Sequence, residues 1–217
     1  MKYIKEYNEY VDPFNEDDWD EVEIGSFLTW LKNKYPDENT WKDIKIVYCD
    51  YNNLTDLIGI EKLINLEYLS CNNNQLTAEL DLSKNINLLY LSCHHNQLTE
   101  LDVTKNIKLK DLYCHYNQLI ELDITKNINL IHLYCYNNQL TDLDVTKNIN
   151  LDTLYCNNNQ LIELNLNIKL RILYCYSNQL TKLDLSKNIE LKELSCHHNQ
   201  LKELDFSKNN KLFYKNI

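Results

Sequence analysis

The chain has 217 residues and carries 32 acidic against 22 basic side chains, a formal net charge of −10. It contains only two glycines, Gly25 and Gly59, so glycine-rich loops that bind dinucleotides or nucleoside triphosphates are excluded. The excess of acid disfavours nucleic acid and anionic membranes as partners, because binding to phosphate needs a basic surface. We therefore expect no nucleic-acid partner and no membrane partner.

The first 43 residues hold most of the net charge, with 12 acidic and five basic side chains. Residues 24–34 carry apolar side chains at helical spacing, with acids before them and lysines at their end. We predict that residues 1–43 form an N-terminal cap with a short helix over about 24–34. In this cap, Trp30, Leu31 and Trp41 should cover the first unit of the next region.

The chain shows no signal for export or membrane insertion. Its first residues contain no apolar core with a cleavage site, and no window approaches 18 consecutive apolar residues. These patterns predict a cytoplasmic protein, or one in a host cytoplasm if the source is a virus or an intracellular bacterium. In such a reducing compartment the cysteines should be free thiols.

Eight cysteines recur at a nearly constant interval of 19 to 22 residues: Cys49, Cys71, Cys93, Cys114, Cys135, Cys156, Cys175 and Cys196. Disulfide frameworks and zinc sites need closely spaced cysteine pairs, which this chain lacks. A fixed interval near 21 instead indicates stacked repeats. Aligned on cysteine, the repeat is L-x-x-L-x-C-x-x-N-Q-L-T-x-L-D-[LV]-[ST]-K-N-I-x, and residues 109–129 are a clear copy.

This pattern resembles the leucine-rich repeat, in a short 21-residue bacterial or viral form with cysteine in place of the third leucine. The resemblance covers residues 44–217, and residues 54–66 are similar to the first repeat of internalin-type proteins, which follows a helical cap. It implies a mainly β solenoid, right-handed, with a parallel concave sheet and extended convex segments. Eight full strands and a partial C-terminal strand are expected. The family also implies a non-enzymatic role in protein–protein contact.

Each repeat divides into two halves with similar patterns. The segment L-x-L-x-C alternates with a period of two, which predicts a short strand with its leucine and cysteine inward. In the copy at 109–129 the expected inward side chains are Leu109, Leu112, Cys114, Leu119, Leu122, Ile124 and Ile128. The second half is rich in Asp, Thr and Asn, which are poor helix formers, so we predict extended structure and a second β face.

Two asparagine columns are expected to satisfy the backbone of the bends. The column after the strands is Asn52, Asn74, Asn96, Asn117, Asn138, Asn159, Asn178 and Asn199. The column in the second half is Asn85, Asn106, Asn127, Asn148, Asn167, Asn188 and Asn209.

Side chains next to the strand leucines should point outward on the concave face. Tyrosine, histidine, serine and asparagine predominate there, and such side chains bind proteins with little loss of entropy. We predict that this face binds a protein partner, whose identity the sequence does not give. The candidate residues are Tyr113, Tyr134, Tyr155, Tyr174, His94, His95, His115, Tyr116, Tyr136, Tyr176, His197 and His198.

Two alternatives to this function remain open. The stacked tyrosines would in one case only stabilise the sheet, as cross-strand pairs do. In the other, the protein is a structural component that associates end to end through the solenoid, whereas the main interpretation predicts a monomer. A strand that begins at residue 212 is the basis for this second alternative, because an exposed strand edge can pair with another chain.

Catalytic and metal sites are not expected. His94 and His115 lie in one column with His95 next to them, but two imidazoles do not complete a metal site, which needs three or four ligands. The pairs Ser92–His94 and Ser195–His197 lie two residues apart, with a Cα spacing of about 6.5 Å that separates nucleophile from base. The sequence thus predicts no enzyme, no cofactor and no metal.

Overall fold

Nine short strands form one parallel sheet in a computed structural model that describes residues 25–77 and 80–217. The strands are β1 (Ile46–Tyr48), β2 (Tyr68–Ser70), β3 (Tyr90–Ser92), β4 (Asp111–Tyr113), β5 (His132–Tyr134), β6 (Thr153–Tyr155), β7 (Ile172–Tyr174), β8 (Glu193–Ser195) and β9 (Tyr214–Asn216). They are ordered as in the chain, and each pairs in parallel with the next. The chain is therefore a β solenoid in which each repeat adds one strand, as expected.

The strands stay in register because their middle residue is buried. From β2 to β8 this residue is leucine, and each leucine lies opposite the leucine of the next strand. The cysteine that follows each of the first eight strands is also buried, and all eight cysteines are free thiols. Burial raises the thiol pKa, to about 12 at Cys93 and Cys135. The predicted column of packed, protonated thiols is confirmed.

The first asparagine column connects neighbouring repeats. Asn117 donates from Nδ2 to the carbonyls of Cys93 and Cys114, at 3.0 and 3.1 Å, and its Oδ1 accepts from Leu98 N at 3.0 Å. The amide thus satisfies backbone groups of its own repeat and of the preceding one. This confirms the structural role predicted for the column.

The second half of the repeat does not form a second sheet, so that prediction is wrong. Its aspartates close tight turns: Asp123 Oδ1 accepts from the N–H of Thr125 at 2.9 Å, and five other repeats have the same contact. Such Asx turns bend the backbone away from strand geometry. One isolated bridge, Asp144 to Asn165, joins these segments in the described part of the chain. They are extended and free of α-helix there.

The isoleucine after the second asparagine column is exposed, which contradicts the predicted inward position of Ile128. Its side chain is 50% exposed. The equivalent isoleucines are exposed to a similar extent and form an isoleucine stripe of Ile64, Ile86, Ile107, Ile128, Ile149, Ile168 and Ile189. The preceding asparagine occupies the interior position instead, since Asn127 is fully buried.

The N-terminal cap packs directly on the first repeat. Helix α1 spans Phe27–Lys34 and a 3₁₀ helix spans Glu38–Asp43. Phe27, Leu31 and Trp41 are buried in the same core as the strand leucines, whereas Trp30 is only partly buried. Trp41 and Leu31 thus act as predicted. Ile24 and the acidic residues before it, where the cap helix was expected to begin, lie outside the described residues.

Gly59 is the one glycine whose conformation is required. Its φ of 104° lies in the left-handed region, and a Cβ there would come within 3.0 Å of Leu28 Cδ1. A side chain at this position would therefore strain the backbone and force the Leu28 side chain of the cap helix to shift. A second 3₁₀ helix, Ile60–Lys62, follows it.

Two features of the structure concern partners: its helices, which bear on membrane insertion, and the last strand of the solenoid. Among the residues described, no helix is both long and apolar enough to cross a bilayer. The ninth strand pairs with β8 along all three residues, and its side chains are exposed. Association through the ends of the solenoid stays a prediction.

Candidate functional site: the concave face

The concave face consists of the side chains that flank the buried middle residue of each strand. A strand of three residues directs its first and third side chains to the same side. At β5 these are His132 and Tyr134, and at β6 they are Thr153 and Tyr155. The sheet therefore presents two outward columns, and the residues after each strand add two more.

Six tyrosines form a continuous stack along this face, the tyrosine ladder: Tyr68, Tyr90, Tyr113, Tyr134, Tyr155 and Tyr174. Centroids of neighbouring rings lie 3.9 to 5.3 Å apart; four of the five spacings fall in the range of about 4.5–7 Å for attractive aromatic pairs, and Tyr68 and Tyr90 are closer still. The ladder changes column between β3 and β4, from the first to the third strand position. The sequence predicted its last four members; Tyr68 and Tyr90 were missed because they occupy the other column.

The ladder presents neutral hydroxyls at ordinary pH. Burial, followed by the effect of Tyr68, raises the pKa of Tyr90 to about 12. Burial, and then the nearby Asp111 carboxylate, also raise the pKa of Tyr113 well above its usual value. At Tyr174 burial and a 3.0 Å hydrogen bond from its hydroxyl to Glu193 Oε2 raise the pKa as well. The rings are half-buried, so each offers an edge and a hydroxyl to a partner.

Histidine and tyrosine stack in a second row, at the position after cysteine. His94, His115 and Tyr136 lie ring over ring on three consecutive repeats, with centroids 4.3 and 4.4 Å apart. Tyr176 and His197 stack in the same way at 4.6 Å. His115 is only 8% exposed, so of these predicted binding residues it offers a partner the least surface.

The next position along the chain has left-handed backbone, and its side chains are exposed or partly exposed. Its φ values lie between 50° and 56° in all eight repeats, although none has glycine there. The residues are Tyr51, Asn73, His95, Tyr116, Asn137, Asn158, Ser177 and His198. Sequence patterning missed this conformation because none of the eight residues is glycine, the usual signal for it. The left-handed residue breaks the alternation of a strand, so His94 and His95 both contact His115.

Three histidines therefore meet where the sequence counted two ligands. His94, His95 and His115 each place a ring nitrogen within 4.8 Å of those of the other two. Burial, and then the proximity of His95, lowers the pKa of His94 to about 4. Burial, with His94 and His95 next in effect, lowers the pKa of His115 to about 3. Both rings are thus neutral near pH 7.

Ser195 and His197 approach more closely than expected. Ser195 Oγ and His197 Nδ1 lie 3.1 Å apart, because both side chains project from the same side of the chain. The expectation that spacing separates these groups is wrong. However, Ser195 is only 2% exposed, so its hydroxyl does not face a space that a substrate enters.

No protein-family model matches the sequence, and no curated protein matches it. Solved structures do. The functional domain of InlJ from Listeria monocytogenes, which includes a cysteine ladder, is 34% identical, covering 82% of this chain and 49% of that one, with a TM-score of 0.50. The leucine-rich repeat protein LIC12759 from Leptospira interrogans is 27% identical over 80% of this chain and 49% of its own, with a TM-score of 0.73.

The chain belongs to the leucine-rich repeat family. Nine stacked parallel strands with turns of about 21 residues are the short form of this repeat. YopM from Yersinia enterocolitica WA-314 is also similar, at 28% identity over 81% of this chain and 40% of that one, with a TM-score of 0.68. The present 217-residue chain covers about half the length of the InlJ and LIC12759 structures.

Proposed function

We propose that this leucine-rich repeat protein is a non-enzymatic binding module that holds a protein partner against the tyrosine ladder. Leucine-rich repeat proteins generally mediate contacts with other proteins, which supports the coarse function. The observation that carries the finer assignment is the unbroken row of six half-buried rings from β2 to β7.

The chemistry of the face favours a folded protein surface over a small molecule. The ladder is a long, shallow strip of rigid rings, each ending in a neutral hydroxyl that donates or accepts. Small ligands instead need concave pockets that bury most of their surface. Rings already stacked on their neighbours lose little conformational entropy when a partner binds, which favours affinity.

Acidic groups flank the ladder and suggest which partners fit. Asp111 lies on β4 next to Tyr113 and contacts the His132 ring, and Glu193 accepts from Tyr174. A partner whose apolar contact surface carries lysine or arginine would pair with these carboxylates, and such charges also stack favourably on tyrosine rings.

Capture of partners from the native cell tests the proposal. The bait variant Tyr134→Ala with Tyr155→Ala removes the centre of the ladder, and we expect it to lose the proteins that the wild type captures. Each lost aromatic pair costs about 0.5–1.5 kcal/mol of stability, which the buried leucine core tolerates. Circular dichroism and urea unfolding establish that the variant stays folded.

A matched control uses the same two repeats. Ile149 and Ile168 are 55% and 59% exposed and belong to the isoleucine stripe, outside the concave face. The variant Ile149→Ala with Ile168→Ala removes exposed apolar surface without changing the ladder, so it should capture the same proteins as the wild type. If the tyrosine variant also captures them while unfolding at lower urea, the ladder only stabilises the sheet.

A further inference from the structure

His94, His95 and His115 form a compact cluster on the concave face. His94 and His95 follow β3, and His115 follows β4 on the next repeat. Rings of His94 and His115 stack with centroids 4.3 Å apart and planes 17° from parallel. The His95 ring stands nearly perpendicular to both, at 74° and 77°. One nitrogen of each ring lies within 4.8 Å of one in each other ring.

The cluster contains ring nitrogens that the protein itself leaves unused. Nδ1 of His94 and Nδ1 of His115 are buried and have no hydrogen-bond partner among the described residues. His115 is more than nine-tenths buried. A buried nitrogen without a partner loses the free energy of hydration and gains nothing in exchange. These two Nδ1 atoms are therefore buried acceptors or donors for which a bound ligand would supply the missing partner.

We propose that His94, His95 and His115 bind one divalent late transition-metal ion of the Zn²⁺ type, each through one ring nitrogen. Neutral imidazole is a preferred ligand of Zn²⁺, Cu²⁺ and Ni²⁺. Zinc binds histidine nitrogens at about 2.0–2.1 Å, so the nitrogens of a tetrahedral site lie about 3.4 Å apart. Closing the cluster to this spacing requires ring rotation, and the exposed His95 ring would give up part of its stacking on Tyr116, whose ring centroid lies 4.2 Å away. Three protein ligands leave the fourth position to water or to a group from a partner.

The chain contains an incomplete version of the same cluster. His197 and His198 follow β8 at the positions of His94 and His95, and their rings also meet at an angle of 66°. The ring that stacks on His197 is Tyr176 rather than a third histidine. His197 Nδ1 is also engaged by Ser195 Oγ. This pair lacks the third ligand and serves as an internal control.

The test titrates ZnSO₄ into the folded, reduced protein and follows the heat of binding. We expect one ion per chain. His115→Asn and His95→Asn should each weaken binding at least about 100-fold, because even loss of a second-shell contact costs 10- to 100-fold. Both variants should fold, since Asn157 occupies the position of His115 two repeats further on, and Asn158 occupies the position of His95 three repeats further on. The control His197→Asn with His198→Asn should bind as the wild type does.

A gain-of-function variant tests the geometry directly. Tyr176→His with Ser177→His would place two histidines before His197 in the arrangement of His94, His95 and His115. We expect it to bind two ions per chain. The proposal is overturned if the wild type binds no Zn²⁺, if His115→Asn and His95→Asn bind as tightly as the wild type, or if the His197–His198 variant loses binding. The experiment needs no partner, so its failure leaves the binding-module proposal intact.

Discussion

At the scale of single residues, the two asparagine columns differ in how their oxygens are used. Asn117 donates to two carbonyls, and its Oδ1 accepts from Leu98 N. Asn127 also donates to two carbonyls, those of Val103 and Asn106. Its Oδ1, however, is buried without a hydrogen-bond partner among the described residues. The amide of Asn117 is therefore fully used, whereas Asn127 and five other members of the second column carry the desolvation cost of one buried oxygen each.

This difference predicts unequal effects of the same substitution. Asn117→Ala should lower the free energy of unfolding by about 2–4 kcal/mol, because it leaves buried backbone groups without a partner. The loss of unfolding free energy for Asn127→Ala should be smaller than that for Asn117→Ala by about 1–3 kcal/mol, since this substitution also removes the unsatisfied oxygen. Urea unfolding followed by circular dichroism measures both. Equal losses would mean that Asn127 Oδ1 has a partner, such as an ordered water.

The residue scale also shows what patterning can and cannot predict. Buried leucines, cysteines and asparagines follow directly from the repeat, because each recurs at one fixed position of the period. The left-handed backbone at His95 and Tyr116 does not, because neither residue is glycine, the usual signal for it. The three-histidine cluster depends on that conformation, so the sequence alone counted only two ligands.

At the scale of elements, the tyrosine ladder is the feature that responds to alkaline pH. The folded-state pKa of Tyr90 is about 12, above its unfolded value near 10. The native state thus holds this proton more tightly, so the associated stability is complete below pH 10 and is lost as pH rises towards 12. Buried cysteines, whose pKa values are also raised, add a loss that begins near pH 9.

The variant Tyr90→Phe separates the contribution of this tyrosine to the alkaline loss of stability from that of the cysteines. The variant keeps the ring that stacks on Tyr68 and removes the ionisable hydroxyl. Between pH 10 and 12 its free energy of unfolding should fall less steeply than that of the wild type, in urea titrations at stepped pH. The same substitution at Tyr51, a residue 73% exposed, is the matched control. Parallel curves for wild type and Tyr90→Phe would contradict the prediction.

The full length of the tyrosine ladder could not be predicted from the sequence. Alignment on cysteine grouped Tyr113, Tyr134, Tyr155 and Tyr174, because they share one position. Tyr68 and Tyr90 belong to a different position, yet their rings continue the same stack. Long aromatic side chains reach diagonal neighbours on the next strand. An alignment compares only equivalent positions, so it does not reveal contacts between different positions of adjacent strands.

At the scale of the whole molecule, stability is shared between neighbouring repeats. Each strand pairs only with the strands before and after it, so a change in one repeat acts on the array through its two interfaces. Patterning predicted the solenoid of stacked parallel strands correctly. It placed Ile128 inside the solenoid because isoleucine is apolar, whereas the interior position at that bend needs an amide.

Two alanine substitutions distinguish the interior from the stripe. Leu133→Ala in β5 removes a fully buried side chain and should cost about 2–5 kcal/mol of unfolding free energy. Ile128→Ala, at a side chain 50% exposed, should change it by about 0.5 kcal/mol. Thermal and urea unfolding provide the comparison. A loss at Ile128 as large as that at Leu133 would return this isoleucine to the core.

One repeat is shorter than its neighbours: Cys156 and Cys175 are 19 positions apart rather than 21. The sheet is unaffected, since Leu154 still lies opposite Leu173. The two missing residues are therefore accommodated in the second half of the repeat, and the next strand keeps its position in the sheet. A repeat that is two residues shorter therefore fits the array without a compensating change in the neighbouring strands.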